Sequence, residues 1–147
     1  MRVVIALGSN LGDRSAILRS AVEAVREYVD IDRVSEIIET DPVGGVEQPD
    51  YLNAVLVGET ELAPAELMNT LLAIEAAAGR ERTIRWGART LDLDFIAAGD
   101  LIMESELLTL PHPRAHERAF VLQPWLEIDP DAYLPGRGPI RELLSLL

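Results

Sequence analysis

Apolar positions along this chain follow two rhythms, one of period two and one of helical period. Arg2–Leu7 is a nearly continuous apolar run, as expected of a strand covered on both faces. Ile17, Leu18, Ala21, Val22 and Val25 then recur at helical spacing and predict a helix from about Asp13 to Val29. Val34–Thr40 predicts a second strand. Tyr51–Glu59 predicts a third, with Leu52, Ala54 and Leu56 on one face and Asn53, Val55 and Val57 on the other. Pro64 suits the first turn of a second helix, which carries Leu67, Met68, Leu71, Leu72, Ile74 and Glu75 and stops at Gly79. Thr90–Ile96 predicts a fourth strand.

The order β-α-β-β-α-β is that of a ferredoxin-like α+β core, an antiparallel sheet with both helices on one face. Residues beyond about 100 add a short strand near Leu101–Met103, a helix over Ala115–Leu126 and a helical stretch over Ile140–Leu147. Laid over the sheet's second face, they make three α-β-α layers. No internal repeat, low-complexity tract or linker interrupts the 147 residues, so one domain spanning 1–147 is expected. Residues 41–50 are too long for a tight hairpin, and connections of this length in compact domains are often functional.

One detail breaks the apolar pattern. Asp92 and Asp94 lie inside the run Leu91–Ile96. If that run is a strand, Leu91, Leu93 and Phe95 point one way and the two carboxylates the other, close enough to share a hard cation or a pair of them. Arg80, Arg82, Arg85 and Arg89 stand just upstream. Carboxylates suited to Mg²⁺ beside a guanidinium cluster are what a polyphosphate requires. The alternative is the polar face of an exposed strand beside a solvated basic loop.

Charge sharpens the choice. The formal net charge is −12, which argues against nucleic acid as a partner. All 13 basic residues are arginine, so a phosphate-binding lysine and Schiff-base chemistry are excluded. Residues 80–89 carry four Arg against the single Glu81, an anion-attracting patch on an acidic body. Cysteine is absent and there are two histidines, so thiolate metal sites and a His-rich zinc site are ruled out. No apolar run approaches a membrane span and no signal-peptide pattern opens the chain; a cytoplasmic location is expected.

Two further groups complete the candidate chemistry. In Leu110-Pro111-His112-Pro113-Arg114-Ala115-His116-Glu117-Arg118, His112 is held between prolines, and both His112 and Arg118 suit phosphate contacts. Tyr51, Asn53, Phe120 and Trp86 suit a flat heterocycle, an amide matching its edge and rings its faces. Phe120 and Tyr51 serve equally well as core residues, and the turn Gly8–Asp13 as a helix cap or an anion site.

Four segments occur in order: Ala6-Leu7-Gly8-Ser9-Asn10-Leu11-Gly12-Asp13, Gln48-Pro49-Asp50-Tyr51-Leu52-Asn53, Arg85-Trp86-Gly87-Ala88-Arg89-Thr90-Leu91-Asp92-Leu93-Asp94 and Leu110-Pro111-His112-Pro113. Together they resemble the 6-hydroxymethyl-7,8-dihydropterin pyrophosphokinase family of folate biosynthesis over essentially the whole chain. The resemblance implies transfer of the pyrophosphoryl group of ATP to the pterin's hydroxymethyl oxygen, releasing AMP. It implies that Asp92 and Asp94 hold two Mg²⁺ ions, with Arg82 and Arg89 catalytic beside them. Arg80, Arg82, Arg85, Trp86, Arg89, His112 and Arg118 would bind ATP, with Leu108 and Thr109 near the nucleoside. Thr40, Pro42, Val43, Tyr51, Asn53 and Phe120 would form the pterin pocket, closed by Trp86. Partners are then small molecules only, with neither nucleic acid nor membrane, and a monomer is expected with a dimer as the alternative. Phe95 stands where the family has an aliphatic residue, a packing change. The competing readings are a non-catalytic ferredoxin-like small-molecule-binding module and another Mg²⁺-dependent nucleotide enzyme such as a nucleotidyltransferase.

Overall fold

The structure, a computed structural model, describes residues 1–10, 13–40, 51–79 and 91–147. Its first strand, β1 (Arg2–Ser9), is buried almost throughout, as its unbroken apolar run requires. Helix α1 (Arg14–Arg26) starts one residue after Asp13, whose carboxylate accepts the Ala16 amide at 3.1 Å and so caps the first turn. It ends three residues earlier than the apolar spacing suggests. Val29 is buried in a turn held by a bond from its own amide to the Val25 carbonyl, so its burial extends the pattern without extending the helix.

The expected strand Val34–Thr40 is two strands, β2 (Asp30–Val34) and β3 (Ile38–Thr40). Both pair with β4 (Tyr51–Glu59), at its far and near ends respectively. The break has a local cause. Buried Ser35 gives its amide to the Val55 carbonyl and accepts the Val55 amide on its hydroxyl, so a side-chain oxygen replaces a main-chain acceptor at one rung. Helix α2 (Pro64–Gly79) matches its expected bounds, and β5 (Asp92–Ala98) runs two residues further than predicted.

The sheet order β2-β4-β1-β5, antiparallel throughout, is the ferredoxin-like arrangement. The face carrying Val3, Ile5, Leu7, Leu56, Leu93 and Phe95 packs against α1 and α2. The C-terminal segment covers the other face. There β8 (Tyr133–Leu134) pairs with β9 (Gly138–Pro139), while β6 (Met103–Glu104) pairs with β7 (Thr109–Leu110) and sends Leu110 into the α1–α2 core. Helices α3 (Ala119–Ile128) and α4 (Ile140–Ser145) bury Val121, Leu122, Trp125 and Ile140 against Val4, Ala6, Val55 and Val57. The three layers are as expected, but β7, β8 and β9 were not, and the predicted helix 115–126 is divided. A 3-10 turn over Ala115–Glu117 is followed by Arg118 in an extended conformation, and only then does α3 begin. A bulge in β5 lies opposite Val4 and Ile5: Phe95 pairs with Ile5 and Ala97 with Val4, leaving Ile96 as the extra residue.

Candidate active site

Strand parity decides where the two aspartates go. In β5, Leu93 and Phe95 enter the helix-covered core, as does Leu91 just before it, so Asp92 and Asp94 project from the opposite face. Register places Asp94 opposite Ala6 and Asp92 opposite Gly8, and on β4 the same rows continue to Val55 and Asn53. The C-terminal layer covers Val55 but leaves the Gly8–Asn53 end open. A cavity of about 290 Å³ results, lined by Ala6, Leu7, Gly8, Thr40, Tyr51, Asn53, Asp92, Asp94, Arg114, Glu117, Arg118 and Phe120.

The break before α3 supplies the cation. Because Arg118 is extended, its guanidinium turns back toward β5 and lies 3.4 Å from an Asp94 oxygen while stacking 5.7 Å from the Phe120 ring centre. His112 Nε2 stands 3.9 Å from the other Asp94 oxygen. Its Nδ1 accepts the Arg114 amide at 3.2 Å, so the neutral ring carries its proton on Nε2, toward the carboxylate. Arg114 in turn pairs with Glu117 at 3.3 Å on the rim.

At the other end, Asn53 is buried, and its amide nitrogen donates to the Thr40 hydroxyl at 2.5 Å across the β3–β4 pair. A side chain at Gly8 would meet the Asn53 amide oxygen at 3.2 Å and the Tyr51 ring at 3.5 Å. The bare backbone at Gly8 therefore leaves room for both. Half-buried Tyr51 and Phe120 flank this recess as apolar surfaces.

Of the residues singled out from sequence, Asp92, Asp94, Arg118, Thr40, Tyr51, Asn53 and Phe120 share one cavity, with His112 against Asp94. Leu108 and Thr109 do not line it; the Leu108 side chain is buried in the α1–α2 core and Thr109 lies in β7. Pro42, Val43, Arg80, Arg82, Arg85, Trp86 and Arg89 lie outside the described residues. Sequence reading assigned no role to Ala6, Leu7, Arg114 and Glu117 and left Gly8 ambiguous. The i,i+3 spacing of Arg114 and Glu117 was the only available signal, and it is too common to point to a site.

Burial lowers the His112 pKa below its ordinary 6.5, and the Arg118 and Arg114 guanidinium groups lower it further, against an opposing effect from Asp92. Below pH 6.5 the unfolded chain therefore takes up a proton more readily than the folded one. The stability gained from the neutral ring is present above pH 6.5 and is lost as pH falls through the lower folded value. His112→Asn, which keeps an acceptor for the Arg114 amide, should flatten the acid limb of the ligand-free melting-temperature profile. An unchanged limb would show that His112 does not govern it.

Residues 4–130 match the model of 7,8-dihydro-6-hydroxymethylpterin-pyrophosphokinase (HPPK). This chain belongs to the HPPK family. A relative from Mycobacterium tuberculosis named 2-amino-4-hydroxy-6-hydroxymethyldihydropteridine pyrophosphokinase is 46% identical over 156 residues, covering 99% of this chain and 82% of that protein. One of the same name from Bacillus subtilis is 47% identical over 126 residues, covering 84% of this chain and 75% of its own. Among solved structures, wild-type Plasmodium falciparum HPPK-DHPS superposes with a TM-score of 0.73 at 14% identity, across 99% of this chain. A triple mutant of that protein gives 0.80 at the same identity. This chain spans 43–44% of those longer chains, and at such low identity the likeness speaks for the fold alone.

The donor set also bears on the metal. Among the described residues, no group of three or more His, Cys, Asp and Glu side chains is placed to hold an ion. A pair of carboxylates is nevertheless what Mg²⁺ uses when phosphates and water complete its shell, so Asp92 and Asp94 fit a metal that arrives with a nucleotide. No described helix is long and apolar enough to cross a membrane.

Proposed function

We propose that this chain, acting as a single pyrophosphokinase domain, transfers the pyrophosphoryl group of ATP to 6-hydroxymethyl-7,8-dihydropterin, giving AMP and the pterin diphosphate. One observation carries the reading. The Asp92/Asp94 pair, with Arg118 against it, opens into the same 290 Å³ cavity as the Thr40–Asn53 recess between Tyr51 and Phe120. Anionic and heterocyclic subsites are thus neighbours. Sites of this kind work by positioning and charge neutralisation and need no covalent nucleophile.

In the proposed reaction, the hydroxymethyl oxygen bonds to the β-phosphorus, the bridge from that phosphorus to the α-phosphate oxygen breaks, and AMP departs with the bridging oxygen. The hydroxyl proton passes to solvent. Asn53 and Thr40 would fix the heterocycle's edge while Tyr51 and Phe120 hold its faces, which aims the hydroxymethyl arm toward β5. Asp92 and Asp94 would hold two Mg²⁺ ions, which when bound neutralise phosphate oxygens and align them with the acceptor. Arg118 and His112 would grip the triphosphate from the α3 side. From sequence, Arg80, Arg82, Arg85 and Arg89 would supply further cations, with Arg82 and Arg89 catalytic, Trp86 closing the site, and Pro42 and Val43 completing the pterin pocket. Leu108 and Thr109 would approach the nucleoside through their main chain. Guanidinium suits this task because its fork binds phosphate oxygens bidentately and never loses its charge. A cytoplasmic monomer is the matching reading for location and assembly.

Phosphorus NMR of the protein with ATP, Mg²⁺ and the hydroxymethyl pterin tests the bond broken. AMP should appear together with a pterin carrying two phosphates. ADP with a pterin monophosphate would overturn the reaction while leaving the family intact.

A further inference from the structure

Beyond the groups that line the cavity, one carboxylate reaches the aspartates from behind. Glu75 lies on α2, in the layer opposite the face on which Asp92 and Asp94 stand. Its Oε2 accepts the main-chain amide of Leu93 at 2.7 Å. Leu93 is the residue between the two aspartates. Among the described residues β5 ends the sheet, with β1 its one hydrogen-bonded strand neighbour, so an amide directed away from β1 has no ladder partner among them. The far side of the same edge is held differently: the His112 amide donates to the Ile96 carbonyl at 2.8 Å. Between these two bonds the outer edge of β5 is fixed on either side of Asp94.

We propose that Glu75 is a positioning residue for the metal-binding carboxylates, acting through the Leu93 amide. The peptide unit that Glu75 holds joins Asp92 to Leu93, so it sets the backbone torsion that aims Asp92 and the start of the step to Asp94. An ionised acceptor holds an amide more tightly than a neutral one, and α2 is anchored by buried Leu67 and Leu71, so the carboxylate is presented from a fixed base. Neighbours that orient metal ligands without touching the metal are a general requirement of such sites. This role rests on the reading of Asp92 and Asp94 as metal ligands.

Three variants test it: Glu75→Gln keeps an acceptor of the same reach, Glu75→Asp keeps the charge but shortens the reach, and Glu75→Ala removes both. Three measurements apply: exchange of the Leu93 amide by NMR in the ligand-free protein, Mn²⁺ binding by electron paramagnetic resonance with a non-hydrolysable ATP analogue, and steady-state kinetics. Glu75→Ala and Glu75→Asp should speed Leu93 exchange and weaken Mn²⁺ binding and kcat about tenfold or more, with KM for the pterin unchanged. Glu75→Gln should stay within about threefold of wild type. Wild-type exchange and Mn²⁺ affinity in folded Glu75→Asp would overturn the proposal, as would a Glu75→Gln variant as impaired as Glu75→Ala. Asp94→Asn run alongside separates the two ideas. If it abolishes Mn²⁺ binding while Glu75→Ala and Glu75→Asp do not weaken it, only the positioning role fails; if wild type binds no Mn²⁺, the reading of the aspartates fails with it.

Discussion

Asp92→Asn and Asp94→Asn should each lower turnover about a thousandfold or more, roughly 4 kcal/mol of transition-state stabilisation, with the fold intact. Each change keeps the side chain's shape and removes one negative charge. Both positions are only half-buried and face the cavity, so neither substitution disturbs either core. The two variants should nevertheless differ. Asp94 also receives Arg118 at 3.4 Å and faces His112 at 3.9 Å, so losing its charge removes the anchor that holds the guanidinium where it would meet the triphosphate. Asp94→Asn should therefore raise KM for ATP as well as lower kcat, whereas Asp92→Asn should act mainly on kcat. Turnover at saturating Mg²⁺, ATP and pterin, with thermal melting of the same samples, makes the measurement. If the pair were merely the polar face of an exposed strand, both variants would be at least as stable as wild type and fully active.

The largest stability effect is expected far from the cavity, at Gly58→Ala. Gly58 is buried in β4 where β2 crosses close, and an added Cβ would lie 2.5 Å from the Asp30 carbonyl oxygen, 2.8 Å from Val29 Cγ1 and 3.0 Å from Ile31 Cα. Two of those three atoms are main chain, so no side-chain rotation relieves the clash. The β2–β4 pair must separate, at a cost of about 3 kcal/mol or more. For a chain of this size that lowers the melting temperature by about 6–12 °C. Gly79→Ala provides the contrast. Among the described residues nothing lies within 4 Å of a Cβ there, at the last position of α2, so the change should be neutral or stabilising by up to about 1 kcal/mol. Equal melting temperatures for the two variants would show that β2 yields more easily than its contacts indicate.

What sequence revealed and what it hid divide along physical lines. Apolar runs and helical spacing located β1, β4 and α2 closely, because β1 and β4 are central strands covered on both faces and α2 buries one stripe against the sheet. The Asp92/Asp94 face was legible too, since alternation leaves no other direction for them. The break at Ser35 was not, because it depends on a hydroxyl standing in for a carbonyl opposite Val55, a contact twenty residues away. Nor was the break at Arg118. Apolar spacing runs through Ala115, Val121 and Leu122 without interruption, yet the extended backbone at Arg118 is what turns its guanidinium toward Asp94. Glu75 read as one more polar residue on a helix, because its partner is a main-chain amide, which carries no side-chain signature.

The bulge at Ile96 gives β5 two regimes of tolerance to changes in chain length. Upstream of it, removal of one residue reverses the side-chain parity of what precedes, and a deletion at Leu93 would turn Asp92 toward the α1–α2 core. At the bulge itself, loss of Ile96 restores a regular ladder between Phe95–Ile5 and Ala97–Val4. That deletion forfeits a fully buried side chain and the carbonyl that accepts the His112 amide, but leaves both carboxylates facing the cavity. The irregular rung thus works as an expansion joint, confining length variation to the half of the strand that carries no chemistry.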